Sequence, residues 1–245
     1  MLSDVMPPLL ERAFAALPRL PSQCAVCHGW GCGRICAACV ERHAGARHRC
    51  GRCAIDVPAA AAPVCGVCLK TPPPFEHAVA AVDYAHPWDG LIAQFKFHAA
   101  LDLAPALAER LVTAVRQGAA PRPDLVVPAP LAAGRSRERG YNQAWELARR
   151  AARALGLPAD AHLLRRVRDT PHQIALPIDR RAANVRGAYA IDVRRAPRLA
   201  GRRVAVVDDV MTTGATVREA AAQLLRAGAA SVQVWVLART PAGAD

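Results

Sequence analysis

The sequence predicts an α/β protein with a mostly parallel sheet, preceded by a small cysteine-rich module that binds metal. Three observations lead there. Strand-like and helix-like apolar patterns alternate across about 160 residues in the later part of the chain, which implies strand-helix-strand units. All nine cysteines lie in the first 68 residues, eight of them as CxxC pairs. Arg203 to Thr216 (RVAVVDDVMTTGAT) joins an apolar strand to a helix through two adjacent carboxylates and a turn rich in hydroxyls and glycine.

The N-terminus, residues 1–22, is broken by prolines and carries Asp4 and Glu11, so it fits an amphipathic lead-in helix better than a signal peptide. Residues 23–71 follow as the metal module, with Cys24/Cys27, Cys36/Cys39, Cys50/Cys53 and Cys65/Cys68 as four knuckles. A tetrahedral zinc needs two knuckles, so eight thiolates imply two structural zinc ions. Pairing neighbouring knuckles closes the shortest loops and is preferred; interleaving first with third and second with fourth is the alternative. Cys32 is left over, and His28, His43 and His48 are substitute ligands. A dithiol redox site would need a surrounding βαβ pattern, which is missing, and cysteine usage of this kind fits a reducing, cytoplasmic compartment.

After the stiff linker Thr71-Pro72-Pro73-Pro74, residues 75–245 form the larger domain. His77 to Ala85 alternates as a strand, and Trp88 to His98 and Asp102 to Val115 carry helical spacing, with Trp88, Phe95 and Phe97 read as core. Lys96, one of two lysines in the chain, is a weak candidate for a phosphate contact. Asp124 to Pro130 is a short strand. Arg135, Arg137 and Arg139 follow it, and a helix opens near Gly140 and runs to about Leu155. Leu163 to Ala190 is basic, proline-interrupted and poor in apolar residues around Thr170 to Asn184, which reads as a mobile cover. The final strand-helix-strand unit takes Arg202 to Asp208, Thr213 to Ala227 and Ser231 to Ala238.

The chemistry concentrates in the last unit. A helix start leaves its N–H groups unpaired at the positive end of the peptide dipoles, which suits a phosphate. Thr212, Thr213 and Thr216 add hydroxyl donors, and Gly214 and Ala215 let the backbone approach the anion. Asp208 and Asp209 suit sugar hydroxyls or a nearby magnesium ion, provided internal salt links do not tie them up. No lysine follows the glycine, so this is not a Walker A loop, and it is not a GxGxxG fingerprint.

Charge is localised too. The 245-residue chain has a formal net charge of +12, and Pro121 to Val206 holds 18 arginines, no lysine and seven acids. A polyanion is the indicated partner, either pyrophosphate or a nucleic-acid backbone. No stretch is long and apolar enough to span a membrane.

VAVVDDVMTTGAT resembles the phosphoribosyl pyrophosphate (PRPP) signature of type I phosphoribosyltransferases. VPAPLAAGRSRERGYNQAWELA and LLRRVRDTPHQIALPIDRRAANVRGAYA, together with the cysteine segment, resemble the ComF family of competence-associated, phosphoribosyltransferase-like proteins, in which a double zinc ribbon precedes the transferase fold. The resemblance implies that Thr212 to Thr216 hold the 5′-phosphate of PRPP. Asp208 and Asp209 would hold the ribose hydroxyls, with Asp209 a candidate general base. Pro130, Arg137, Arg139, Arg181 and Arg186 would hold the magnesium-bound pyrophosphate. It also implies an unidentified nitrogen acceptor, bound by a hood drawn from residues 30–100 or by the cover. A second reading is a non-catalytic factor of DNA uptake that binds single-stranded DNA on the same arginines and docks on DNA-processing proteins through its zinc module. Only Tyr141, Trp145 and Tyr189 interleave with those arginines.

Overall fold

In a computed structural model of the chain, residues 21–31, 33–58, 62–168 and 187–242 are described. The expected lead-in helix, Cys32 and the central part of the expected cover, with Arg181 and Arg186, lie outside the described residues.

Four parallel strands form the central sheet: β3 (His77–Asp83), β4 (Leu125–Pro128), β7 (Arg203–Met211) and β8 (Ser231–Arg239), in the order β3-β8-β7-β4. Every residue of β4 is buried, as expected of a strand covered on both faces. The second strand runs three residues further than its apolar run suggests. β7 continues through both aspartates to Met211, with Asp208 opposite Val236 and Met211 opposite Arg239 of β8. The backbone N–H of Asp209 donates to Asp208 Oδ1 at 2.9 Å and that of Val210 to Asp209 Oδ1 at 2.7 Å, so each carboxylate is oriented by the amide that follows it.

Helices cover both faces. On one, Leu107 and Leu111 of α4 (Ala104–Gln117) and Leu147 and Ala151 of α6 (Gln143–Leu155) pack against Ala205, Val207 and Trp235, together with Trp88 and Phe95 of α3 (Trp88–Phe97). On the other, Val217, Ala221 and Leu224 of α7 (Ala215–Arg226) pack against Val204, Val206 and Val234. The stretch from Ala133 to Arg139, expected as part of a loop, is a short helix, α5, closed by Gly140 at φ 77°. β5 (Leu164–Arg166) and β6 (Tyr189–Ile191) pair antiparallel where the two ends of the expected cover meet.

The cysteine module carries little structure of its own: a two-residue ladder, β1 (Ser22–Gln23) with β2 (Trp30–Gly31), and the short helices α1 (Ala37–His43) and α2 (Gly66–Lys70). It is bound to the larger domain by polar contacts. The Trp88 indole donates to His43 O at 2.7 Å, Arg49 pairs with Asp83 at 2.8 Å, and Ala78 N donates to Gly51 O at 3.0 Å. Among the described residues, no helix is long and apolar enough to cross a membrane.

Candidate functional site

The chain leaving β4 enters α5 and α6 on one face of the sheet, and the chain leaving β7 enters α7 on the other. Neighbouring strands whose connections diverge this way open a crevice at their carboxyl ends, where open α/β sheets bind ligands. A cavity of ≈ 480 Å³ lies there, within the usual range of about 300–1,000 Å³ for ligand sites. Its lining includes two acids, three arginines and Lys96.

Asp208 and Asp209 both line the cavity, but their surroundings differ. Asp209 is buried and its Oδ2 lies 2.9 Å from Lys96 Nζ, on α3. The expectation that both carboxylates stay clear of internal salt links therefore fails for Asp209, whose partner Lys96 also lines the cavity. The physical reason is burial, because a carboxylate with 4% of its side chain exposed needs a counter-charge that the sequence spacing could not reveal. Asp208 has no ion pair among the described residues. Burial and the adjacent Asp209 push its carboxyl up to about 8, with Lys96 pulling in the opposite direction.

This has a consequence for stability. Asp208 holds a proton in the folded state that the unfolded chain releases near 3.8, so the folded chain binds more protons between those two values. Its contribution to stability is full below about pH 4 and is lost as the pH rises through about 8. Urea unfolding at pH 5, 6.5 and 8 is expected to show this decline, and Asp208→Asn is expected to remove the Asp208 share of it; equal slopes in the two proteins would refute the assignment.

Arg135, Arg139 and Arg166 also line the cavity. Burial lowers the pKa of Arg135, the positive charges of Arg166 and Arg139 lower it further, and Glu138 works in the opposite direction. The sequence reading placed Arg137 and Arg139 on the pyrophosphate. Arg139 lines the cavity, but Arg137 is exposed and does not, because α5 turns it outward. Pro130 lies on the wall as expected.

Asn142 and Gln143 explain their place in the motif. Asn142 Oδ1 caps α6 by accepting from Ala144 N and Trp145 N, while its Nδ2 donates to Ala129 O, just past β4. Gln143 Oε1 accepts from Arg139 Nη1 at 2.8 Å. Phe97, expected in the core, is 61% exposed and lies under the Arg139 guanidinium, 5.0 Å from the ring centroid. Tyr84, Arg166 and Tyr189 also reach the cavity and were not singled out as binding residues; they come from three separate segments, which only tertiary folding unites.

Thr212 and Thr216 line the same cavity, while Thr213, Gly214 and Ala215 border a smaller recess of ≈ 30 Å³ beside it. Gly214 is the N-cap of α7 at φ 77°, a left-handed conformation that a side chain would strain. Thr213 Oγ1 accepts from Ala215 N at 3.3 Å and so shapes the turn itself.

The cysteines fall into two groups, Cys24/Cys27/Cys36/Cys39 and Cys50/Cys53/Cys65/Cys68, each with its four sulfurs within 4.8 Å of one another. Neighbouring knuckles pair, and no histidine joins either group among the described residues. The sulfur spacing fits zinc. Thiolates at about 2.3 Å from a tetrahedral ion stand about 3.8 Å apart, and the observed separations are 3.9 Å for Cys24/Cys39, 3.8 Å for Cys27/Cys36 and 3.7 Å for Cys53/Cys65. Backbone N–H groups also point at sulfur, from Cys36 to Cys24 Sγ at 3.4 Å and from Cys65 to Cys50 Sγ at 3.2 Å. Burial raises the Cys24 and Cys50 thiols, but such donors outweigh it and bring them down to about 6 and about 7.

The chain is 36% identical over 231 residues to the DNA utilization protein YhgH of Salmonella typhi, covering 90% of this chain and 98% of that one. It is 34% identical over 209 residues to Competence protein F of Haemophilus influenzae, covering 84% and 90%. The chain belongs to the ComF family. Residues 142–245 match the phosphoribosyl transferase domain family. Among solved structures, the glutamine PRPP amidotransferase of B. subtilis aligns over 54% of this chain and 25% of its own, at 24% identity and a TM-score of 0.36. This ComF protein thus joins a type I phosphoribosyltransferase sheet to a module of two four-cysteine clusters.

Proposed function

We propose that this protein binds PRPP with Mg²⁺ in the ≈ 480 Å³ cavity and transfers its phosphoribosyl group to a nitrogen acceptor, in a role connected with DNA uptake or utilisation. The observation that carries the reading is an acid pair and three arginines lining one cavity at the carboxyl ends of β4 and β7. Thr212 to Thr216 receive the 5′-phosphate, Asp208 and Asp209 the ribose hydroxyls, and Arg139 with Arg135 and Arg166 the departing pyrophosphate. A magnesium ion on the pyrophosphate, when bound, would neutralise charge that develops as the C1–O bond breaks.

The acceptor nitrogen forms the new C1–N bond and loses a proton. Asp208 suits that proton better than Asp209, because Lys96 engages Asp209 while Asp208 has an affinity near neutral pH. The two zinc ions are structural in this reading, since each cluster offers four thiolates and no open position.

DNA binding on the arginine-rich stretch is the second reading. Internal pairing thins that face: Arg149 and Arg150 hold Glu146, Arg195 and Arg198 hold Asp160, and Arg203 holds Asp124. Calorimetry with PRPP and Mg²⁺, run beside single-stranded DNA binding at two salt concentrations, tests both. Saturable PRPP binding is expected; PRPP failing to bind while DNA binds with a steep salt dependence would replace the first reading with the second.

A further inference from the structure

Arg239 closes β8 on the residue opposite Met211 and is 8% exposed, yet it lines neither the cavity nor the adjoining recess. Two of its three nitrogens, Nε and Nη1, donate to backbone carbonyls. Nη1 donates to Met211 O at 2.9 Å, to Thr212 O at 2.5 Å and to Thr240 O at 2.9 Å, while Nε donates to Cys53 O at 3.0 Å. Met211 and Thr212 lead directly into the hydroxyl-lined turn, and Cys53 belongs to the second cysteine cluster. One buried side chain, 186 positions from Cys53 in the sequence, therefore touches both the second cysteine cluster and the start of the turn.

We propose that Arg239 is a positioning residue through which the second cysteine cluster, once it holds its metal, fixes the phosphate-binding turn. The argument is electrostatic as well as geometric. A buried guanidinium needs compensating negative charge. Four thiolates around a divalent ion carry a net charge of about −2, so metal loading places an anion beside Arg239. Burial lowers the pKa of Arg239, Cys53 beside it works in the opposite direction, and Arg49, itself paired with Asp83, adds to the lowering. Metal binding also fixes the 50–54 knuckle, including the Cys53 carbonyl that Arg239 uses as its anchor. Without the metal the anchor loosens, and the carbonyls of Met211 and Thr212 lose a common donor. The first cluster has no equivalent link to the turn among the described residues.

The consequence for PRPP affinity rests on the function proposed above, but the mobility of the turn does not. The test is hydrogen exchange at the amides of residues 212–216 in the full-length, zinc-loaded chain, together with PRPP calorimetry, for the native protein, Arg239→Gln, Cys65→Ser and the double variant. Arg239→Gln is expected to keep both zinc equivalents and to speed exchange in the turn at least about tenfold, leaving the amides of Leu147 to Ala152 unchanged. Cys65→Ser is expected to speed exchange in the turn similarly, and the double variant to add little to either. Arg239→Lys, which keeps the charge and one donor centre, is expected to recover part of the protection. PRPP binding should weaken about tenfold in both single variants. Unchanged exchange in Arg239→Gln overturns the proposal, as do independent, additive effects of the two substitutions. If the native chain binds no PRPP, the proposed function fails, and the exchange data still decide the coupling.

Discussion

Above about pH 8, where Asp208 is ionised, Asp208→Asn/Asp209→Asn is expected to bind PRPP on the order of 100-fold more weakly than the native chain, because each hydrogen bond from a sugar hydroxyl to a charged acceptor is worth about 1.5–3 kcal/mol. The single variants should differ. Asp209→Asn strands Lys96, whose side chain is only 19% exposed, so it should cost stability as well as affinity. Asp208→Asn removes a group with no cationic partner among the described residues, and its cost should fall on binding and turnover with little loss of stability. Isothermal calorimetry and urea unfolding on the same three variants separate these outcomes. Equal PRPP affinity in the double variant and the native chain would remove the acid pair from the site. Unchanged single-stranded DNA binding alongside lost PRPP binding would show that the two ligands use different surfaces, while competition between them would show one shared site.

Metal removal is expected to have the larger structural effect. Elemental analysis should find two zinc equivalents per chain, one for each four-cysteine cluster. Among its described residues the module has a two-residue ladder, an isolated bridge between Arg49 and Asp56 and two short helices. Structural zinc sites contribute about 10–16 kcal/mol of apparent binding free energy in small peptides, comparable with the roughly 5–15 kcal/mol that stabilises a whole domain. A strong chelator should therefore unfold residues 21–58 and 62–71, measured as a loss of hydrogen-exchange protection at Val40, Ala44 and Leu69. The α6 and β7 amides should lose far less, since that sheet has its own apolar core on both faces. A chelated protein that keeps full protection in the module would show that its folding does not depend on metal.

Much of this protein was legible in the residues themselves. The CxxC spacing announced two four-cysteine clusters because the ligand chemistry is local, with the two cysteines of each knuckle only three positions apart. The order of strands and helices could be read as well, because apolar periodicity reports which faces must be buried. The turn after β7 was recognisable because a hydroxyl and glycine pattern at a helix start has few other uses. The pairing of neighbouring knuckles was preferred on loop length and then decided by the sulfur positions.

Only the tertiary structure decided where long side chains end. Lys96 lies 113 positions before Asp209 in the sequence, and nothing in the α3 pattern says that it must neutralise a buried acid on β7. Arg135 and Arg137 are alike in sequence, yet the turn of α5 directs one to the cavity and leaves the other in solvent. Arg239 reads as the end of an apolar strand until folding brings it between Cys53 and Thr212. Sequence thus fixes chemistry that acts over a few positions, through periodicity, capping and chelation. Counter-charges and cavity walls are settled by packing, because burial sets the cost of an unpaired charge and brings distant partners within reach.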